Sequence, residues 1–182
     1  STSGHYGCVR GPDTCWPIVG VSKRQTCISN SSAESELVST TGALRNIALP
    51  GLDLWQALLP HKPSTYFLED NLAMLQCIKS GRNPSMRHML RTHRMSVGFC
   101  HEVYQSGEIV FAHEAGIKMP PDIFTKMFSD LTKWTRARLL INVVLPSELE
   151  AIFQDNHDTF LGIKEKPAMV TPSREVSTIA PD

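Results

Sequence analysis

The sequence predicts an α/β fold, with helices packed on the faces of a sheet, and three features carry that expectation. A strand hairpin opens the chain. The short apolar aromatic run Thr65–Leu68 and the alternating run Glu108–His113 read as further strands. Segments with helical periodicity stand between and after them, the alternation expected of helices covering a sheet. The chain has 182 residues, enough for one domain with a sizeable core. Hydrophobic residues make up 41%, which fits a folded globular body rather than a disordered chain.

His5–Arg10 and Trp16–Ser22 are the two strands of the hairpin, and Gly11–Thr14 supplies turn chemistry between them. The second strand is expected to continue through Gln25–Ile28. Ser31 with Glu34 three residues later forms a capping-box pattern ahead of a helix over 32–47. Ala33, Leu37, Leu44 and Ile47 give that helix its apolar face. Pro50-Gly51 is expected to break it, with a second helical segment over 52–59. After the strand at 65–68, a helix covers 71–79 and stops at Ser80-Gly81. A longer helix is expected over 85–105, then the strand at 108–113. A further helix runs from Pro120 or Pro121 to Phe128, since proline is tolerated in a first turn. Leu131–Val144 reads as one more amphipathic helix. Trp55, Phe99, Phe124 and Trp134 are expected in the core. Residues 1–130 make the principal domain, 131–160 a helical extension and 161–182 a disordered tail rich in proline, serine, threonine and charge.

Eighteen basic and eighteen acidic residues cancel, so net charge alone points to no nucleic-acid partner. Their distribution says more. No acidic residue occurs from Asn71 to His101, whereas Lys79, Arg82, Arg87, Arg91 and Arg94 all do, with His88, His93 and His101 among them. Arg87, Arg91 and Arg94 share one face of the expected helix, and with Lys79 and Arg82 they can track a phosphate backbone. His88 and His93 are five residues apart, the wrong spacing for two histidines facing one zinc ion. Five scattered cysteines contain no CxxC pair, which supports neither a zinc knuckle nor a disulfide framework. Free thiols point to an intracellular setting rather than a secreted one. No apolar run has the length to span a bilayer, so no membrane partner is expected.

Three acidic residues stand at the starts of separate helical segments: Glu36 in SNSSAESELV, Asp70 in FLEDN and Asp122 in PPDIFTK. Carboxylates delivered from separate elements can converge on divalent metal. Glu34 and Glu36 divide by position: Glu34 occupies the capping place, and Glu36 lies roughly opposite it around the helix.

These segments, in this order with the basic RTHRM stretch between the second and third, and with STSG and SKRQ ahead of them, resemble the ribonuclease H domain of copia-type LTR retrotransposon Pol polyproteins. The resemblance covers residues 1–128. It implies a ribonuclease H-like mixed sheet flanked by helices, with Glu36, Asp70 and Asp122 as catalytic metal ligands. It also implies two Mg2+ ions, which Mn2+ can replace, and an RNA–DNA hybrid whose RNA strand is hydrolysed. The reverse transcriptase region of the parent polyprotein is the implied protein partner. Two ions ~3.5–4 Å apart need clustered carboxylates to hold them, and magnesium prefers oxygen ligands.

The family's first catalytic aspartate lies on a strand preceding the STSG segment, and that strand is the centre of the family sheet. Asp13 falls in the hairpin turn and does not replace it. The chain by itself is therefore expected to lack the central strand and one of four carboxylates, and to be catalytically silent. Two other readings stand beside this one: a non-catalytic nucleic-acid-binding relic of a retrotransposon, and an unrelated α/β interaction protein.

Overall fold

Alternation in the first twenty-four residues sends one set of side chains to each face of a hairpin. Strand β1 (Thr2–Arg10) pairs antiparallel with β2 (Cys15–Arg24), with a register shift between Gly7 and Cys8. The computed structural model describes residues 1–11, 14–26, 28–29, 31–83, 86, 89 and 96–151. β2 ends at Arg24, short of the expected continuation. Gln25 instead becomes a clamp: its Nε2 donates to Ser3 Oγ at 3.0 Å and to the Ser35 carbonyl at 2.9 Å. This ties the hairpin to the start of the next helix.

Helix α1 (Ser32–Ala43) begins as its sequence pattern predicts, with Ser31 Oγ accepting from the Glu34 N–H at 3.2 Å. Pro50-Gly51 does not break the helical path. A π-helical turn, Leu44–Ala48, joins α1 to α2 (Leu49–Leu58), and the Leu49 N–H reaches back five residues to the Leu44 carbonyl. A proline in a continuous α-helix meets the carbonyl four residues behind it and lacks a donor. The wider π turn moves Pro50 into the first turn of α2, where neither matters.

β3 (Thr65–Glu69) follows, then α3 (Leu72–Ser80), capped by Asn71, whose Oδ1 accepts from the Met74 N–H at 3.1 Å. Gly81 ends α3 at φ 65, the left-handed conformation glycine adopts without strain. The imidazole of His101 lies against Gly81, and its Nδ1–H donates to the Ile78 carbonyl at 2.8 Å. His101 therefore braces α3.

The single helix expected over 85–105 is not present in that form. Ser96 is extended, at φ −134 and ψ 133, and caps a new helix, α4 (Val97–Gln105), by accepting from the Gly98 N–H. A serine offers its hydroxyl to nearby backbone N–H groups and favours a start over a helix interior. Of the basic residues placed on that helix, Arg87, Arg91 and Arg94 lie outside the described residues, as do His88 and His93.

β4 (Ile109–His113) pairs parallel with β3, giving a second two-stranded sheet beside the β1–β2 pair. The mixed α/β class is thus as the sequence predicts. The core lies between β3–β4 and the helices α1, α3 and α4. Leu37, Leu44, Met74, Ile78, Cys100 and Ile109 are fully buried there, and Phe67 and Phe111 meet with ring centroids 5.2 Å apart. Phe99 packs against the edge of this core beneath the Arg45 guanidinium, 4.6 Å above its ring.

The helix expected over 120–128 is only a 3-10 turn, Pro120–Phe124, preceded by another at Gly116–Lys118. Adjacent prolines at its head remove two donors, and Thr125 leaves helical geometry at φ −126 and ψ −21. Helix α5 (Leu131–Leu140) stops before the expected Val144, and Asn142 adopts φ 61. Trp134, expected in the core, is 43% exposed on α5 and touches Phe128. Ser1–Asn142 form one unit and Val143–Asp182 another; in the second, residues 146–151 form a helical turn whose first donor, the Leu145 N–H, is met by Glu148 Oε2. The tail reading for 161–182 falls outside the described residues. Among the described residues no helix is long and apolar enough to cross a membrane.

The turn Pro120–Phe124 docks on the hairpin face that carries Gly4, Gly20 and Ser22. Ser22 Oγ donates to the Phe124 carbonyl at 2.7 Å, and a Cβ on Gly4 would meet the Pro121 carbonyl oxygen at 2.8 Å. Gly4→Ala is accordingly expected to lift the turn from the hairpin and to cost about 1–3 kcal/mol in urea unfolding, the scale of an overpacked contact. Leu37→Ala, which leaves a cavity at the centre of the core, is expected to cost about 2–5 kcal/mol by the same measurement.

Candidate functional site

The three acidic residues singled out in the sequence sit on three different elements. Glu36 is half-buried in α1. Asp70 is exposed between the end of β3 and the start of α3. Asp122 is half-buried in the turn docked on the hairpin.

The fold brings them into one electrostatic neighbourhood. Burial pushes the Glu36 carboxyl above its ordinary range, and the negative charges of Asp70 and Asp122 push it in the same direction. Lys126 works against them. Its Nζ lies 2.7 Å from Asp122 Oδ2, one helical turn along the chain. The carboxylate of Asp70 rests over Gly116, at 3.0 Å from where a Cβ would stand. A glycine after β4 thus leaves the space that Asp70 occupies.

One member of the cluster was not anticipated. Glu69, the residue before Asp70, is 6% exposed. Its Oε1 accepts from the Asn71 N–H at 3.1 Å and its Oε2 from Thr40 Oγ1 at 3.3 Å. Burial pushes its carboxyl up to about 7, with Glu36 and Asp70 adding to the shift and both hydrogen bonds opposing it. The strand alternation held a signal for it. Phe67 points to the core, so Glu69, two residues on, points the same way. Lys126 also had a signal, its four-residue spacing from Asp122.

Carboxylate oxygens that raise one another's proton affinity are the donor chemistry a hard divalent cation would satisfy. Among the described residues, no three His, Cys, Asp or Glu side chains are drawn together closely enough to form a metal-holding group. The residues therefore fit such an ion in donor type and charge, and their spacing in this structure is wider than ligation requires.

The basic residues that remain describable stand apart from this cluster in sequence. Lys79 is half-buried in the last turn of α3, and Arg82 is exposed just beyond the Gly81 stop. His113 ends β4, opposite Glu69 in the parallel register.

Comparison of the chain with family models, with curated proteins and with solved structures finds no match.

Two consequences are measurable in the protein without divalent ions. Glu69 holds its proton to about 7 when folded, against an ordinary 4.5. Between those values the unfolded chain releases a proton that the folded chain keeps, so stability falls as pH rises through the window. The loss amounts to roughly 3 kcal/mol at most. Urea unfolding at about pH 5 and about pH 8 checks this, and Glu69→Gln should flatten the dependence. Lys126→Met should cost about 1 kcal/mol or less, because its ion pair is exposed. It should also move the Glu36 titration upward in a carboxyl-detected NMR experiment; an unmoved Glu36 contradicts the proximity of Lys126.

Proposed function

We propose that this chain is a ribonuclease H module of a retroelement polyprotein. Its parent activity is two-metal endonucleolytic hydrolysis of the RNA strand in RNA–DNA hybrids. The observation that carries this reading is the placement of Glu36 within electrostatic reach of both Asp70 and Asp122. Those residues arrive from α1, from the β3–α3 junction and from the 120–124 turn, in the order that the resemblance to copia-type ribonuclease H implies.

The sheet arrangement supports the same reading. The β1–β2 pair and the β3–β4 pair are separate sheets. Helix α1 contacts β1 through Ser39, whose Oγ lies 3.1 Å from His5 Nε2. It contacts β3 through the next residue, Thr40. Neighbouring positions on one helix thus reach the two sheets, which suits a ribonuclease H-like sheet whose central strand belongs between β1 and β3. Such a strand also carries the aspartate that completes four ligands.

Glu36, Asp70 and Asp122 are the residues that would hold Mg2+ or Mn2+. Such an ion supplies a water of lowered pKa and neutralises charge on a phosphodiester. Lys126 holds Asp122, and the charges of Asp70 and Asp122 act against ionisation of Glu36. Arg82 and Lys79, with Arg87, Arg91 and Arg94 of the acid-free stretch, supply charge for the hybrid backbone. A second reading, hybrid binding without cleavage, is favoured by the 2.7 Å contact between Lys126 and Asp122, since that contact occupies an oxygen the metal reading requires.

The test is a cleavage assay on a labelled RNA–DNA hybrid with Mg2+. The 182-residue chain is compared with the same chain carrying an added N-terminal β-strand with an inward aspartate. Cleavage by either form that is lost in Asp70→Asn supports the reading. Salt-sensitive hybrid binding without cleavage in both forms favours the second reading.

A further inference from the structure

Asp70 is exposed at the β3–α3 junction, yet the residue before it is fastened on three sides. The Glu69 carbonyl accepts from the Glu114 N–H at 3.0 Å, which fixes the end of β3 against the segment after β4. Its Oε1 accepts from the Asn71 N–H, spanning Asp70 from behind. Its Oε2 accepts from Thr40 Oγ1, a buried contact to α1. Thr40 lies four residues beyond Glu36, so the two share a helix face one turn apart. Asn71 in turn caps α3 through the Met74 N–H.

We infer that Glu69 is a positioning residue: its two carboxyl oxygens brace the Asp70 junction against the face of α1 that carries Glu36, fixing the separation of those two carboxylates. This rests on the cation-site reading above and adds to it a residue outside the Glu36, Asp70 and Asp122 set. Glu69 is buried with both oxygens turned to the protein, Oε1 to the Asn71 N–H and Oε2 to the Thr40 hydroxyl, so neither is assigned to the ion. A glutamine preserves the brace, since its oxygen accepts from the Asn71 N–H and its amide donates to the Thr40 hydroxyl. An alanine removes both contacts. Thr40→Val removes one and keeps the shape of the side chain.

Two readouts on the full chain test this. The first is amide hydrogen exchange at Asn71, which needs no metal. Glu69→Ala should raise the Asn71 exchange rate at least about tenfold relative to neighbours within β3, and Glu69→Gln should leave it near wild type. Unchanged Asn71 protection in Glu69→Ala overturns the brace, and does so whether or not the chain binds cations. The second is Mg2+ binding by calorimetry, corrected for the folded fraction. Glu69→Ala should weaken it by about 10–100-fold, the range for residues that orient ligands. Thr40→Val should weaken it less, and Glu69→Gln should match or exceed wild type. Lost affinity in Glu69→Gln overturns the inference by making Glu69 a ligand. Equal affinity in Glu69→Ala overturns it by making the residue merely structural. If wild type binds no Mg2+, the cation-site reading and the inferred role toward the ion both fail, and the exchange result alone decides whether the brace exists.

Discussion

Helix α1 holds β1 with one side chain and β3 with the next. The contacts of Ser39 with His5 and of Thr40 with Glu69 set the two small sheets on a common support. Two-stranded sheets have little stability alone, so each depends on the apolar face that α1 brings. Leu37, Leu44 and the threonines between them are almost completely buried. The start of α1 is itself clamped to the hairpin through Gln25. Glu36 is therefore placed by the same contacts that organise the fold.

The acidic cluster is costly in electrostatic terms, and the chain offsets that cost in two ways. Lys126 supplies a cation beside Asp122, and Glu69 lowers the total charge by retaining a proton up to about 7. Both act where carboxylates from separate elements approach one another. A divalent cation would relieve the same repulsion more strongly, which is the physical basis of the proposed metal site.

The two hairpin strands, the Ser31 cap, the β3 and β4 runs and the Gly81 stop were legible in the sequence, because each rests on local chemistry: alternation, a hydroxyl acceptor, a glycine. The places where reading failed share a different cause. Pro50 lies in a continuous helical path because a π turn precedes it, which no local propensity reveals. The 120–124 segment stops as a 3-10 turn, with prolines at its head and Thr125 out of helical geometry, and it lies against the hairpin glycines. Ser96 starts a helix within a stretch whose periodicity suggested continuity. For the candidate site, the order of the motifs pointed to Glu36, Asp70 and Asp122, and the structure sets Glu36 within electrostatic reach of the other two, whereas Glu69 and Lys126 gained their meaning from contacts with Thr40 and Asp122.

The central claim is that Glu36, Asp70 and Asp122 act as one cation-binding neighbourhood, and paramagnetic relaxation by Mn2+ tests it most directly. Titrating substoichiometric Mn2+ into isotope-labelled protein should broaden the amide resonances around Glu36, Asp70 and Asp122 together, ahead of those around carboxylates elsewhere, such as Asp53 and the Lys62-paired Glu108. Broadening confined to one of the three segments, or stronger at Asp53 or Glu108 than at all three, would contradict it.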